Sequence, residues 1–201
     1  MSNTRSRNTS IVAFVLAVAA LAWLSGCVPV MVGAAVGGAT LVATDRRSVG
    51  AQADDEAIEL QIANDVRALY GDSVHVNVTS YNAIVLLTGE VPDQGVYASI
   101  GNAAAKAAPK TVRVRSVHNE LAVGPLTTLQ QRTNDTFITS KVKARFVEER
   151  KFAPNHVKVV TERGVVYLMG LVRRDEGSAA AQIASTTTGV VRVVTLFEYI
   201  N

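Results

Sequence analysis

A single cysteine, Cys27, stands in the whole chain. It leaves no second thiol for an internal disulfide and no thiolate set for a cysteine-built zinc site or an iron–sulfur cluster. Histidine is scarce too: His75, His118 and His156 are scattered, which argues against a histidine-built metal site. Aromatic residues are only 5% of the chain, so the core is expected to consist of Val, Ile, Leu and Ala. Charged residues make up 18% against 48% hydrophobic, the reverse of the balance that keeps a chain disordered. The 14 glycines follow no three-residue period, which excludes a collagen-like chain. No glycine-rich phosphate loop and no nucleophile–base–orienter set is present. These absences point to a binding protein without a cofactor rather than to an enzyme.

The one cysteine has a telling position. Arg5 and Arg7 precede an almost wholly apolar run over 11–24, which ends in Leu24-Ser25-Gly26-Cys27. A basic start, a short apolar stretch and small residues before a cut are the pattern of a secretory signal peptide. The last four residues resemble the bacterial lipobox, which implies cleavage before Cys27 and acylation of that cysteine. Three acyl chains would hold the protein durably in a membrane, since each buried CH₂ contributes ~0.8 kcal/mol. An uncleaved membrane anchor is the alternative, because no charge appears between Arg7 and Asp45. Pro29, Gly33, Gly37 and Gly38 make a continuous helix through 28–44 a poor fit and favour a tether. Val28, rather than an aspartate, follows the cysteine. By analogy with lipoprotein sorting this implies the periplasm-facing leaflet of the outer membrane. Removing the leader leaves 18 bases against 17 acids, so the mature chain lacks the basic field of a nucleic-acid binder.

Beyond the tether the chain repeats itself once, at a spacing near 80 residues. Asp54-Asp55-Glu56-Ala57-Ile58 is matched by Asn134-Asp135-Thr136-Phe137-Ile138, and Ile62 by Val142. Ile84-Val85-Leu86-Leu87-Thr88-Gly89 is matched by Val165-Val166-Tyr167-Leu168-Met169-Gly170, and Val112-Arg113-Val114 by Val191-Arg192-Val193. In each copy a helical stripe (Ile58, Ile62, Val66 and Leu69 in the first) precedes an alternating strand through Val74, Val76 and Val78. A continuous apolar strand over 83–91 follows, then a second helix through Val96, Ile100, Ala104 and Ala107, then a third strand over 112–123. The order αββαβ predicts an α+β fold of two tandem modules, each a three-stranded sheet covered on one face by two helices. The expected boundaries are a removed leader at 1–26, a lipidated cysteine and tether at 27–53, modules at 54–123 and 133–201, and a linker at 124–132. Gly89 and Gly170 close the central strands at matching positions and are read as structural. Asp54, Asp55 and Glu56 read as a helix N-terminus. His75, His156 and His118 read as exposed strand residues.

This order and these motifs resemble the BON domain of bacterial envelope proteins. Two copies behind a lipobox resemble the dual-BON outer-membrane lipoproteins of the DolP (YraP) family. Thr44-Asp45-Arg46-Arg47-Ser48-Val49-Gly50 is similar to that family's sequence before the first module, and the segments 134–142 and 166–172 to its second module. The resemblance implies support of outer-membrane integrity, a division-site role, and binding of anionic phospholipid such as phosphatidylglycerol or cardiolipin through the first helix of the second module. The family commonly carries tryptophan where this chain has Phe137.

The residues support such a surface independently. Residues 54–123 hold nine acids and five bases, whereas 133–201 hold seven acids and ten bases, so the second module is the one suited to an anionic surface. In its first helix Ile138, Val142 and Phe146 share the core face. Phe137, Lys141, Ala144 and Val147 or Glu148 fall on the flank, and Lys141, Lys143 and Arg145 make three bases within five residues. An apolar tip next to bases suits an interface: the ring enters the acyl boundary while the cations meet phosphates. Each base contributes about 1 kcal/mol, a millimolar-range contact for three, which is enough for a tethered protein. The alternative reading is a protein-interaction adaptor, in which the same helix docks a cell-wall hydrolase regulator or an outer-membrane assembly component.

Overall fold

A computed structural model describes residues 45–108 and 112–201. The leader, Cys27 and the tether up to residue 44 lie outside the described residues. The described elements run α1 (Val49–Tyr70), β1 (His75–Tyr81), β2 (Ile84–Val91), α2 (Gln94–Lys106), β3 (Ser116–Val123), α3 (Leu129–Glu149), β4 (Val157–Glu162), β5 (Val165–Val172), α4 (Arg174–Ser185) and β6 (Arg192–Tyr199). Each module is therefore αββαβ. In each, the middle strand pairs antiparallel with the first strand and parallel with the last, giving the orders β1-β2-β3 and β4-β5-β6. No helix among the described residues is long and apolar enough to cross a membrane.

The helical stripes bury as expected, with one exception. Ile58, Ile62 and Val66 of α1 lie in the first core with Val85, Leu87, Val91, Ile100 and Ala104, whereas Leu69 at the helix end is 69% exposed. The second core gathers Ile138, Val142 and Phe146 with Val166, Leu168, Val172, Ala180 and Ile183. Strand β3 is shorter than expected. Ser116 pairs with Ile84, the first residue of β2, so residues 112–115 run past the end of their partner. Val112 and Val114 still pack against the core there.

Helix α1 begins at Val49, with Ser48 as its cap, five residues before the acidic cluster. Asp55 is therefore not at a helix start. It is buried nearly two turns further in, where its carboxylate accepts from the Ser80 hydroxyl (2.6 Å) and from the backbone N–H groups of Asn82 (2.7 Å) and Ala83 (2.8 Å). Those two residues form the β1–β2 turn with φ of 51° and 61°, left-handed backbone that a hairpin of this kind requires. Asp135 does the same in the second module, accepting from the N–H groups of Arg163 (2.9 Å) and Gly164 (2.8 Å) at the β4–β5 turn. A buried carboxylate that accepts two backbone N–H groups holds an otherwise strained turn in register.

Strands β2 and β5 are buried on both faces. Val85, Leu87 and Val91 point to the helices. Leu86 joins Tyr81 of module 1 and Tyr167 and Met169 of module 2 in a third cluster, where the helix-free faces of the two sheets meet. Glu120 of β3 accepts weakly from the Tyr167 hydroxyl (3.4 Å), and burial pushes that phenol up to about 12, so it stays a neutral donor.

Gly89 faces Val76, and Gly170 faces Val157, across the first ladder of each sheet. A Cβ at Gly89, where φ is +119°, would overlap the carbonyl oxygen of His75; one at Gly170 would overlap that of His156. Either alanine substitution is expected to cost about 3 kcal/mol through steric overlap. Gly50→Ala on α1, whose Cβ would meet only the Ser48 hydroxyl at an ordinary contact distance (3.7 Å), should instead stabilise by about 0.5 kcal/mol. Urea unfolding of the three variants measures the contrast, and equal effects would refute it.

Candidate functional site

Helix α3 is started by a capping box, in which Thr128 and Gln131 exchange side-chain and backbone hydrogen bonds. Its buried stripe of Asp135, Ile138, Val142 and Phe146 fixes its rotation. The opposite arc therefore faces solvent. Phe137 is 64% exposed and Val147 61% exposed. Lys141, Lys143 and Ala144 are exposed on the same arc, with Arg145 half-buried at its edge.

The three bases differ in their surroundings. The Lys141 ammonium donates to the carbonyl of Thr188 (2.6 Å). Arg145 donates to the carbonyl of Ile183 (2.9 Å) and to the Thr186 hydroxyl (2.8 Å), and pairs with Glu149 (3.0 Å). A guanidinium at those carbonyls sits where the negative end of the α4 dipole lies. Arg145 thus fastens α3 to the end of α4 as well as carrying charge. Lys143 makes no hydrogen bond or ion pair among the described residues. A shallow pocket of about 350 Å³ opens beside Ala144, lined by Lys141, Arg145 and Thr186–Thr188.

A second concentration of polar groups lies where the modules meet. His75 is half-buried, not an exposed strand residue. Its Nδ1 lies 3.0 Å from the carboxylate of Glu90, which is fully buried. The same carboxylate accepts from the N–H and hydroxyl of Thr127. Asn77 donates across the module boundary to Glu162 (2.9 Å), and burial pushes the Glu162 carboxyl above its usual range. His75, Glu90 and Glu162 each bring one donor atom within 4.8 Å of the others, the one such group among the described residues that could hold a metal ion.

The segment before α1 clasps both modules. Arg46 makes a two-pronged pair with Glu176 of α4 (2.6 and 2.9 Å) and donates to the carbonyl of Leu171. Arg47 pairs with Asp55 (2.7 Å) and lies over the Tyr81 ring at 4.0 Å.

A family model for the BON domain matches this chain twice, over residues 54–125 and 134–201. The outer membrane lipoprotein DolP of Haemophilus influenzae is 37% identical over 183 residues, covering 89% of this chain and 91% of the relative. The chain belongs to the dual-BON DolP family. A 21 kDa hemolysin of Actinobacillus pleuropneumoniae is 32% identical, covering 78% of this chain and 80% of its own length. The C-terminal domain of CdsD, a structural protein of the type III secretion system of Chlamydia trachomatis, matches 71% of the chain at 12% identity and a TM-score of 0.30. In this BON pair helical spacing places Phe137, Lys141 and Ala144 on one exposed stripe of α3, with Val147 on its flank and Lys143 beyond Val147. The tethering of Lys141 and Arg145 to α4, and the clasp by Arg46, join groups too far apart in sequence for spacing to signal them.

The Arg46 guanidinium holds the Glu176 carboxyl down at about 2. A carboxyl depressed in the folded state adds stability above its ordinary range near 4.5, and that stability is lost as pH falls toward 2. Arg46→Ala is therefore expected to cost on the order of 2–3 kcal/mol at pH 7 and progressively less below pH 4.5. Urea midpoints of wild type and variant across that range check it; a penalty independent of pH would refute the pairing.

Proposed function

We propose that this protein is an acyl-anchored outer-membrane lipoprotein facing the periplasm, attached through Cys27, whose second BON module reads anionic phospholipid and supports envelope integrity, at the division site among others. The name of the Haemophilus influenzae relative supports the outer-membrane anchor. One observation carries the lipid reading: Phe137 is largely exposed on α3 one turn from Lys141, with Val147 exposed on the neighbouring flank and Lys143 and Arg145 at the two edges. Two large apolar side chains left in water beside three cations suit a surface that is apolar within and anionic above.

The energies are matched to a tethered protein. Burying the Phe137 ring in the acyl boundary contributes about 2 kcal/mol. The bases add about 1 kcal/mol each near an anionic leaflet, whether or not they also hold a carbonyl, because the attraction acts on their charge. Such a contact is weak in free solution and adequate once an anchor makes it intramolecular. Phosphatidylglycerol and cardiolipin are the expected ligands. A protein adaptor role for the same helix is the competing reading, and dependence on lipid charge and salt separates the two.

The test uses residues 45–201, which lie within one compact unit. Binding to phosphatidylglycerol or cardiolipin vesicles should exceed binding to neutral vesicles and weaken as salt shortens the screening length. Phe137→Glu, with its fold checked by circular dichroism, should lower the partition coefficient at least about tenfold, a loss of 1.4 kcal/mol or more. Lys143→Glu should lower it in anionic vesicles alone. Equal or absent binding to both vesicle types would overturn the reading.

A further inference from the structure

We infer that His75, Glu90 and Glu162 form a binding site for a divalent transition ion of the zinc type, bridging the two modules. The donors come from three strands: His75 from β1, Glu90 from β2 and Glu162 from β4. One ligand atom of each lies within 4.8 Å of the other two. Zinc binds imidazole nitrogen and carboxylate oxygen at about 2.0–2.2 Å, so small side-chain rotations would close such a triad around it, with water completing the shell.

Burial is the first reason to expect a cation. Glu90 is fully buried and Glu162 is 6% exposed, so two carboxylates lie close together out of water. Arg132 lines the same pocket, and its Nε is directed at the Thr127 hydroxyl (3.3 Å). Burying two carboxylates side by side is expensive unless a positive charge joins them. The second reason is independent. Oε1 of Glu90 is buried and has no hydrogen-bond partner, although Oε2 takes three, from His75 and from the N–H and hydroxyl of Thr127. A buried carboxylate oxygen left without a donor, on a group that faces an imidazole and a second carboxylate, is the orphan acceptor that a bound ion would satisfy.

The site also has an entrance and outer support. A polar pocket of about 240 Å³ leads to it, lined by His75, Asn77, Arg132, Asp135 and Glu162 among others. Thr127 holds Glu90, and Asn77 holds Glu162, which fixes the direction of each carboxylate as outer-shell partners of a metal site do. An ion here would tie module 1 to module 2 next to the first turns of α3, because Arg132 and Asp135 line the same pocket.

Titration calorimetry of the full chain in detergent, stripped with a chelator and given zinc chloride alone, tests this. One ion per chain is expected, with a rise in melting temperature. His75→Asn and Glu162→Gln keep the hydrogen-bonding shapes and should each weaken binding at least tenfold, while His118→Asn should leave it unchanged. A measurement on the wild type stands even if a variant misfolds: zinc should shift the ring resonances of His75 and spare those of His118. No binding at millimolar zinc, undiminished affinity in both variants, or equal shifts at His75 and His118 would overturn the assignment.

Discussion

A three-stranded sheet has two faces, and the two helices of a BON module cover only one. The rest of this structure follows from how the second face is hidden. Along β2, Val85, Leu87 and Val91 alternate toward the helices, while Leu86 turns the other way. Along β5, Val166, Leu168 and Val172 do the same, with Tyr167 and Met169 turned outward. Each outward side chain would sit in water in an isolated module, and burying it contributes on the order of 2 kcal/mol. Meeting sheet to sheet removes all of them from solvent together. The pairing of modules thus adds to the stability of each.

The same contact explains where the charges go. The first module is acidic and the second basic, and part of that difference is spent where they meet. Glu59 pairs with Lys158, and Glu120 lies near Arg192. Exposed pairs of this kind contribute little energy, ~0–1 kcal/mol each, but they reward one relative placement of the modules over others. The buried clasp is stronger. Arg46 reaches Glu176, and Arg47 reaches Asp55, so a four-residue segment ahead of α1 is bound to both modules. The residues just ahead of α1 are therefore held at the module junction.

What the sequence disclosed and what it hid divide along physical lines. Periodicity reports which face of an element is apolar, so the cores around Ile58 and Ile138 and the order αββαβ were legible. The continuous apolar run over 83–91 signalled a strand buried on both faces without saying what covers the second. Acids near a helix start usually report a dipole contact, and Asp55 looked like one. Its role depends on Asn82 and Ala83, brought to it by the hairpin, and no local pattern encodes that. The same holds for Arg46 and Glu176, 130 residues apart. His75 read as an exposed strand residue because alternation assigned it to a polar face; that face is the module boundary, where polar residues are buried as well.

The duplication offers an internal comparison that bears on function. The two copies keep the residues that build the module: Asp55 and Asp135 hold the turns, Ile62 and Val142 fill the cores, and Gly89 and Gly170 let the ladders close. They differ on the outer arc of the first helix. At the repeat spacing, Phe137 stands opposite Ala57, Lys141 opposite Gln61, Lys143 opposite Ala63 and Arg145 opposite Asp65. Folding alone does not require these changes, since the same architecture forms with Ala57, Gln61, Ala63 and Asp65 in the first copy. An exposed phenylalanine carries an aggregation liability with no gain to the core. Its presence in one copy only, with bases replacing neutral and acidic residues around it, supports the contact proposed for this helix.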